Sequence, residues 1–516
     1  MIFMEEIGNG SVGSRRSCLT GTVPRQSKAK CRWLARTLAA IVIAGAFFLS
    51  ACSQKPPPNV LLIAIDDLND WTGSLAGHPQ AYTPHIDRFA ESGTLFTNAH
   101  CQSPVCMPSR ASMMTSRYPS STGLYFLFPA IKDSPKLEGV VTMPERFAAE
   151  GYEVMAAGKL FHNVENQEIF GKVGEYGGNF GTFGPYPEKQ MVYDKPPKLW
   201  DWGVFPKSND DSETPDYQIA QWAKDRLEKD YDKPFFLAAG FYRPHVPMYA
   251  TQQWFDKFPL NEIQLPIVQE GDEDDLSQYA IDLVNLEHIS PTQEWMVEHG
   301  EWEHAVQSYL ASIAFVDSCV GIVLDALENS PHKDNTIVVV YSDHGFHMGE
   351  KDHWAKRTLW EDSTRVLLAV SGPGFNANQR SNKPTGLIDI YPTLLDLCGL
   401  AADQGHEGES LSALIDNPNT DWDRPIRTTF GKGNNSIRDE NWRYIRYLDG
   451  SEELYDHRQD PHEWNNLASN PEFNDIKNRL AAWLPEDEEP ILGEGSTGHN
   501  AYQASAERLK ERSSSP

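Results

Sequence analysis

NVLLIAIDDL, residues Asn59 to Leu68, is the stretch that decides the fold. Val60 to Ile65 is an unbroken apolar run, six residues long and rich in Val, Leu and Ile. Such a run reads as a strand buried on both faces, the habit of parallel sheets. It stops at two carboxylates, Asp66 and Asp67. Strand-like runs recur at Val154–Ala157, Phe235–Ala239, Ile337–Tyr341 and Val366–Val370.

Helical patterns lie between these runs. Thr83 is placed to cap a helix that has Pro84 at its first position and turns Ile86 and Phe89 inward. Thr142 to Ala149 repeats the pattern, and Gly151 suits a helix stop. A long amphipathic helix is expected over about Ala305 to Glu328, with Tyr309, Ile313, Val316, Val320, Val323, Leu324 and Leu327 at helical spacing. Strands alternating with helices imply an α/β fold, a large mostly parallel sheet sandwiched by helices. Ligands gather at the carboxyl ends of such strands, and Asp66-Asp67 and Asp343-His344 each follow one directly.

The organisation expected is a main domain over 59–420, a smaller C-terminal α+β subdomain over 421–485 and a polar, mobile tail over 486–516. In the subdomain, two short aromatic-rich strands flank the turn Asp449-Gly450, and a helix follows over about Pro471 to Leu484. Segments 160–215 and 259–300 read as long loops able to form a substrate rim. Their acidic run, Glu270 to Asp275, reads as a solvated face.

Residues 1–52 are an address. A basic segment precedes the apolar run AAIVIAGAFFL at 39–49, too short for a span of ~20 residues, which is the pattern of a secretory signal. Leu49-Ser50-Ala51-Cys52 resembles a bacterial lipobox, which makes Cys52 a candidate for lipidation and 53–58 a stiff linker. The expectation is an exported protein, periplasmic or an outer-membrane lipoprotein, touching a membrane only through that anchor.

With 516 residues and a formal charge of −28, the chain is an acidic globular protein, which argues against a nucleic-acid partner. An anionic substrate then needs a locally basic pocket. Seven cysteines with no CxxC pair make zinc and thioredoxin-type readings weak. VCMPSRASMMTSR, Val105 to Arg117, therefore poses a puzzle, because Cys106 has no neighbouring cysteine, base or ligand set.

Asp66, Asp67 and Asp343 offer only oxygen, which suits calcium or magnesium over zinc. GKLFH (Gly158–His162), YRPHVP (Tyr242–Pro247) and HWAK (His353–Lys356) bring Lys and His close to strand ends. Together with an arginine they compose a cationic pocket for a tetrahedral oxyanion, sulfate or phosphate.

Cys106-Met107-Pro108-Ser109-Arg110 matches C-x-P-S-R, the core signature of the type I formylglycine-dependent sulfatases of the alkaline-phosphatase superfamily, and GYEVMAAGKLFH resembles their second signature. NVLLIAIDDL, TPHIDRFAESGTLFTNAH, PHVP, SDHGFHMGE, HWAK, DIYPTLLDLCGL and ELYDHRQDPHEWNNL extend the resemblance over about Asn59 to Leu467. GK-x-FH, PH-x-P, SDHG and WAK together are similar to iduronate-2-sulfatase-like members.

The resemblance implies the rest. Cys106 becomes formylglycine through a formylglycine-generating enzyme, and its hydrate is the nucleophile. One calcium ion is held by Asp66, Asp67, Asp343, His344 and residue 106. Arg110 holds the diol and neutralises charge, and Lys159 and His162 bind it, with His162 the base for elimination. His245 and Lys356 grip the sulfate, and His245 protonates the leaving oxygen. Ser109 serves recognition by the modifying enzyme, whereas Arg117 is a helix-surface charge. Arg243, Trp200, Trp202 and Tyr242 are placed to contact sugars or simply to pack their loops.

Two departures stand out: Val154 replaces a Ser/Thr in the second signature, and Ser116 replaces the Gly that commonly ends the first. The substrate implied is a sulfated glycan, either a terminal 2-O-sulfated uronic acid attacked by an exo-acting enzyme or an algal polysaccharide. The rivals are a formylglycine-dependent phosphodiester or phosphonate monoester hydrolase and a non-catalytic glycan-binding lipoprotein.

Overall fold

The computed structural model describes residues 56–162, 164–181, 193, 199–286, 289–493, 499–500, 502–504 and 506–507. The expected signal segment, Cys52, half of the linker and part of the 160–215 loop lie outside them.

Eight strands form the central sheet: β1 (Asn59–Ile65), β2 (Thr94–Phe96), β3 (Glu153–Gly158), β4 (Glu175–Tyr176), β5 (Phe235–Phe241), β6 (Thr336–Ser342), β7 (Leu368–Ser371) and β8 (Gln379–Ser381). Their order is β8-β2-β7-β6-β1-β5-β3-β4. The run β6-β1-β5-β3-β4 is parallel throughout, and β7 alone is antiparallel to both of its neighbours.

The opening stretch sits at the centre of this sheet, with all seven residues of β1 buried. Alternate side chains of a strand face opposite sides, so β1 feeds two separate cores. Leu61, Ile63 and Ile65 pack with α1 (Pro84–Glu91), α4 (Pro215–Leu227) and α5 (Trp302–Glu328). Val60, Leu62 and Ala64 pack with α2 (Cys106–Thr115), α3 (Met143–Ala149) and α6 (Ile390–Leu397). Helices therefore cover both faces, which is why the run needs no polar residue. α5 is long and apolar enough to cross a membrane; its burial against the sheet accounts for both properties.

Several expectations are altered locally. Thr83 precedes α1 but does not cap it through its side chain. Asp317, reaching from α5, accepts from the Ile86 and His85 amides at 2.8 and 3.2 Å and satisfies that helix end instead. At Thr142 the contact runs the other way from a Thr cap: its amide and hydroxyl both donate to Glu145 Oε2, at 2.9 and 2.6 Å. Val154 is buried in β3, consistent with packing at that departure. Ser116 takes φ 52, the left-handed helix stop that explains the common Gly there. Its hydroxyl offsets that backbone, donating to Ile388 O and accepting from Gly408 N. Arg117 lies beyond the helix, half-buried, and is not a helix-surface charge.

The C-terminal sheet has four antiparallel strands, β9 (Ile426–Thr429), β10 (Asn435–Arg438), β11 (Trp442–Arg446) and β12 (Glu452–Asp456). The last two are the expected hairpin around Gly450. One face packs beneath α7 (Asn474–Ala481) through Trp442, Tyr444 and Leu480. The other meets the main body through Ile445, Tyr447 and Tyr455. Two readings change here. The 486–516 tail is anchored in part, since Leu492 N donates to Gly123 O and Tyr502 packs on Phe126. The acidic run is not uniformly solvated: Asp272 is buried and pairs with Lys351.

Candidate active site

Register brings the site together. Ile65 pairs with Ser342 across β1 and β6 and with Phe241 across β1 and β5, while Gly158 pairs with Gly240 across β3 and β5. Four adjacent strands therefore end at one edge and release Asp343-His344, Asp66-Asp67, Tyr242–His245 and Lys159–His162 side by side. The β3 exit requires glycine, because a Cβ on Gly158 would lie 2.0 Å from Gly240 O.

Successive strand residues point to opposite sides, yet both aspartates reach one centre. Asp67 turns the chain with φ 62. The Tyr309 hydroxyl holds that turn, donating to Asp67 O at 2.6 Å and accepting from Asn69 N at 3.1 Å. Asp343 Oδ1 accepts from Asp67 N at 3.1 Å. From the other face, α2 begins at Cys106, so the thiol sits at a helix N-terminus where the dipole favours negative charge.

The cations divide their work. Arg110 is fully enclosed: Nε donates to Asp343 Oδ2 at 2.9 Å, Nη2 to Asp66 Oδ1 at 3.0 Å, and Nη1 to Lys159 O. Lys159 pairs with Asp66, and Lys356 with Asp67 while lying 3.3 Å from Cys106 Sγ. His344 Nε2 stands 3.2 Å from Sγ, 3.3 Å from Asp67 Oδ1 and 3.5 Å from Asp343 Oδ2. His245 lies 3.8 Å from Asp67 Oδ2, its Nδ1 2.6 Å from Val246 O. His162 lines the same cavity as the Cys106 thiol.

These charges set the protonation states. Burial opposes ionisation of Cys106, but Lys159, Lys356 and His344 outweigh it and pull the thiol well below the free cysteine range. Burial alone would raise Asp66; Lys159, with His245 and Arg110, holds it far below the ordinary carboxylate value. Burial pushes Asp343 up to about 6 despite Arg110. Burial disfavours charged His344, yet Asp343 lifts it to about 9. Burial also lowers His162, which makes its ring neutral and able to accept a proton at neutral pH.

The donor set suits a hard dication. Ligand atoms of Asp66, Asp67, Cys106 and His344 lie within 4.8 Å of one another, and the buried Asp67 Oδ2 has no hydrogen-bond partner. Asp343 stands beside this group, engaged by Arg110. The two carboxylates supply oxygen, and one imidazole and the Cys106 position complete the set.

A cavity of about 370 Å³ opens over Cys106. Lys159, His162, His245 and Lys356 reach it, as do Trp200 and Tyr242 from the set expected to meet sugars. Trp202 does not: its indole donates to Glu301. Arg243 differs from expectation too. Its guanidinium turns away, donating to Tyr249 O at 3.1 Å and His245 O at 3.3 Å, so it braces the His245 loop. Ser109 donates to Asp343 O, a structural use. Arg357 lines the cavity and was missed; it follows HWAK directly, but a single arginine after a motif carries no periodic signal. A larger cavity of about 510 Å³ lies elsewhere, and its Arg365 and Arg438 are already paired with Asp70 and Glu361.

Residues 58–400 match the family described as Sulfatase, and 349–489 match N-sulphoglucosamine sulphohydrolase, C-terminal. A sulfatase of Formosa agariphila is 42% identical over 444 residues, covering 83% of this chain and 86% of its own. An ulvan-active sulfatase of the same organism is 29% identical, covering 86% and 85%. Among solved structures, BT1596, a 2-O GAG sulfatase, superposes with a TM-score of 0.65 at 23% identity, covering 83% of this chain and 90% of its own.

Proposed function

The chain belongs to the sulfatase family, and we propose that it strips sulfate from sulfated carbohydrates with residue 106, oxidised to formylglycine, as its nucleophile. The observation that carries the mechanism is the placement of Cys106 at a helix N-terminus, ringed by Lys159, Lys356, His344 and His162. A thiol needs no such setting unless it, or what replaces it, must become an anion.

A formylglycine-generating enzyme supplies the aldehyde, and water adds to it to give a gem-diol. Cys106 Sγ stands in for the diol oxygens. One oxygen attacks sulfur, and the sulfur–alkoxide bond breaks as His245 protonates the departing alcohol. The second hydroxyl passes its proton to His162; the carbonyl re-forms, the carbon–oxygen bond to sulfate breaks, and sulfate leaves. A serine would stop at a stable ester, whereas the diol carries its own exit. Lys159 and Lys356 hold the sulfate oxygens and keep the diol ionised. Arg110 keeps Asp66 and Asp343 ionised and aimed. A bound dication, calcium by the oxygen-rich donor set, supplies polarisation of the sulfate when held by Asp66, Asp67, Asp343, His344 and residue 106.

The ulvan-active relative and the 2-O GAG sulfatase support a polysaccharide-derived substrate, with a terminal 2-O-sulfated uronic acid the first choice. Export as a Cys52-linked lipoprotein fits such a substrate. The test is co-expression with a formylglycine-generating enzyme and sulfate release from defined sulfated oligosaccharides, with Cys106→Ala as control. The tryptic peptide carrying residue 106 is expected to lose ~18 Da. Full activity with an intact thiol sinks the mechanism. Faster cleavage of an aryl phosphodiester than of an aryl sulfate favours the phosphoester reading.

A further inference from the structure

Arg357 is the cation in the active-site cavity that the mechanism leaves unused. The two lysines that line the cavity are matched, Lys159 to Asp66 and Lys356 to Asp67, and the enclosed Arg110 beneath them pairs with Asp66 and Asp343. Arg357 has no ion-pair partner among the described residues, and its Nε and Nη1 are buried without any hydrogen-bond acceptor. A guanidinium keeps its charge when its nitrogens are buried, and each of its two donor edges joins one of these nitrogens to Nη2, so both edges hold a donor without an acceptor. Burial pulls it down only to about 10, still charged at neutral pH.

The backbone is committed to this placement. Arg357 adopts φ 86 and Ala355 φ 80, the left-handed region that non-glycine residues avoid. His353 Nε2 lies 3.0 Å from Lys356 O, and His347 Nε2 lies 2.9 Å from Thr358 Oγ1, so the turn is pinned on both sides. Strain held in this way beside a reactive centre is the mark of a binding element. The wall around it is apolar, with Val105, Leu127, Val246 and Phe346, so an anion there sheds water and meets the fork at full strength.

We infer that Arg357 is the specificity residue of this site: its unpaired guanidinium receives the carboxylate of a sulfated uronic acid while the Lys159/Lys356 side holds the scissile sulfate. The planar two-donor edge matches a carboxylate, and the two anions of one sugar are then read by separate cations. This deepens the reading above and rests on it for turnover, not for binding.

The experiment compares three sugars: a 2-O-sulfated uronide, its carboxyl-reduced counterpart, and a disulfated hexose without carboxylate. kcat/KM is measured on matured enzyme, and Kd on the Cys106→Ala protein, each with and without Arg357→Gln. A charge-assisted fork is worth about 10- to 100-fold, so the wild type prefers the uronide over its reduced form by that ratio in both measurements. Arg357→Gln brings the ratio near one, and Arg357→Lys leaves it between. Arg357→Gly, which accepts φ 86 without strain, is expected to match Gln while melting no lower than the wild type, which separates lost recognition from lost folding.

Equal losses on the uronide and its reduced form overturn the inference, because Arg357 then serves the scissile sulfate or the fold. A loss confined to the disulfated hexose overturns it in favour of a second sulfate, and an unchanged ratio overturns it outright. Absent turnover of every sugar by matured wild type refutes the sulfatase mechanism, while the Kd ratio still decides Arg357.

Discussion

Replacing Asp272 by Asn should loosen the loop that carries Asp343, His344 and Lys356. Lys351 lies within that loop and buries its ammonium, with Nζ 3.0 and 3.2 Å from the two Asp272 oxygens and a further bond to Glu463 O. The side chains are 2% and 4% exposed. At an effective dielectric of 20, a charge pair at about 3 Å attracts by roughly 5 kcal/mol, much of it offset by desolvation. Removing one partner leaves the other charge buried, which costs about 3–5 kcal/mol. The Glu463 carbonyl remains, and the Trp360 and Tyr455 rings, 5.0 and 5.6 Å away, retain some cation–π attraction, so the lower end, about 3 kcal/mol, is expected. Urea unfolding measures it as a lower midpoint at unchanged slope. Asp274→Asn, in the same acidic run but exposed, should stay within about 0.5 kcal/mol. Asp272→Leu with Lys351→Met should recover most of the loss, because no unpaired charge remains. Equal midpoints for Asp272→Asn and Asp274→Asn would refute the reasoning and return the whole run to solvent.

His162→Ala should lower kcat by about 10²–10⁴-fold and accumulate enzyme carrying sulfate on residue 106, seen as an ~80 Da adduct by intact mass; slowed turnover without adduct would move the base elsewhere. Calcium at 100 times its Kd should raise stability by about 2.7 kcal/mol and a chelator should remove it; an Asp67→Asn protein that responds to calcium like the wild type would exclude Asp67 as a ligand. Burial pushes the Asp317 carboxyl up to about 7 against the Ile86 and His85 amides that favour its charge. The folded state thus holds a proton that the unfolded chain releases, and this contribution is complete below pH ~4 and lost as pH rises through ~7. Asp317→Asn should therefore gain on the wild type between pH 5 and 8, by at most about 4 kcal/mol; a pH-independent difference would contradict it.

The site was legible where chemistry and strand ends coincide. Asp66-Asp67 and Asp343-His344 follow apolar runs directly, and register then had only to align Ile65 with Ser342. Arg243 was misread for the opposite reason: a charged residue beside a motif looks the same from the sequence whether it faces a cavity or a carbonyl. The acidic run misled similarly, since nothing local distinguishes Asp272 from Asp274; the difference is a lysine 79 positions away.

Local periodicity and short-range spacing were enough for the parallel sheet, the buried α5 and the family signature. Only the tertiary structure decided who pairs with whom. Asp317 caps a helix 231 residues away in place of Thr83, Arg110 is absorbed by two carboxylates, and Arg357 is left without one among the described residues. Charge compensation is a property of three-dimensional neighbours, and chain order does not record it.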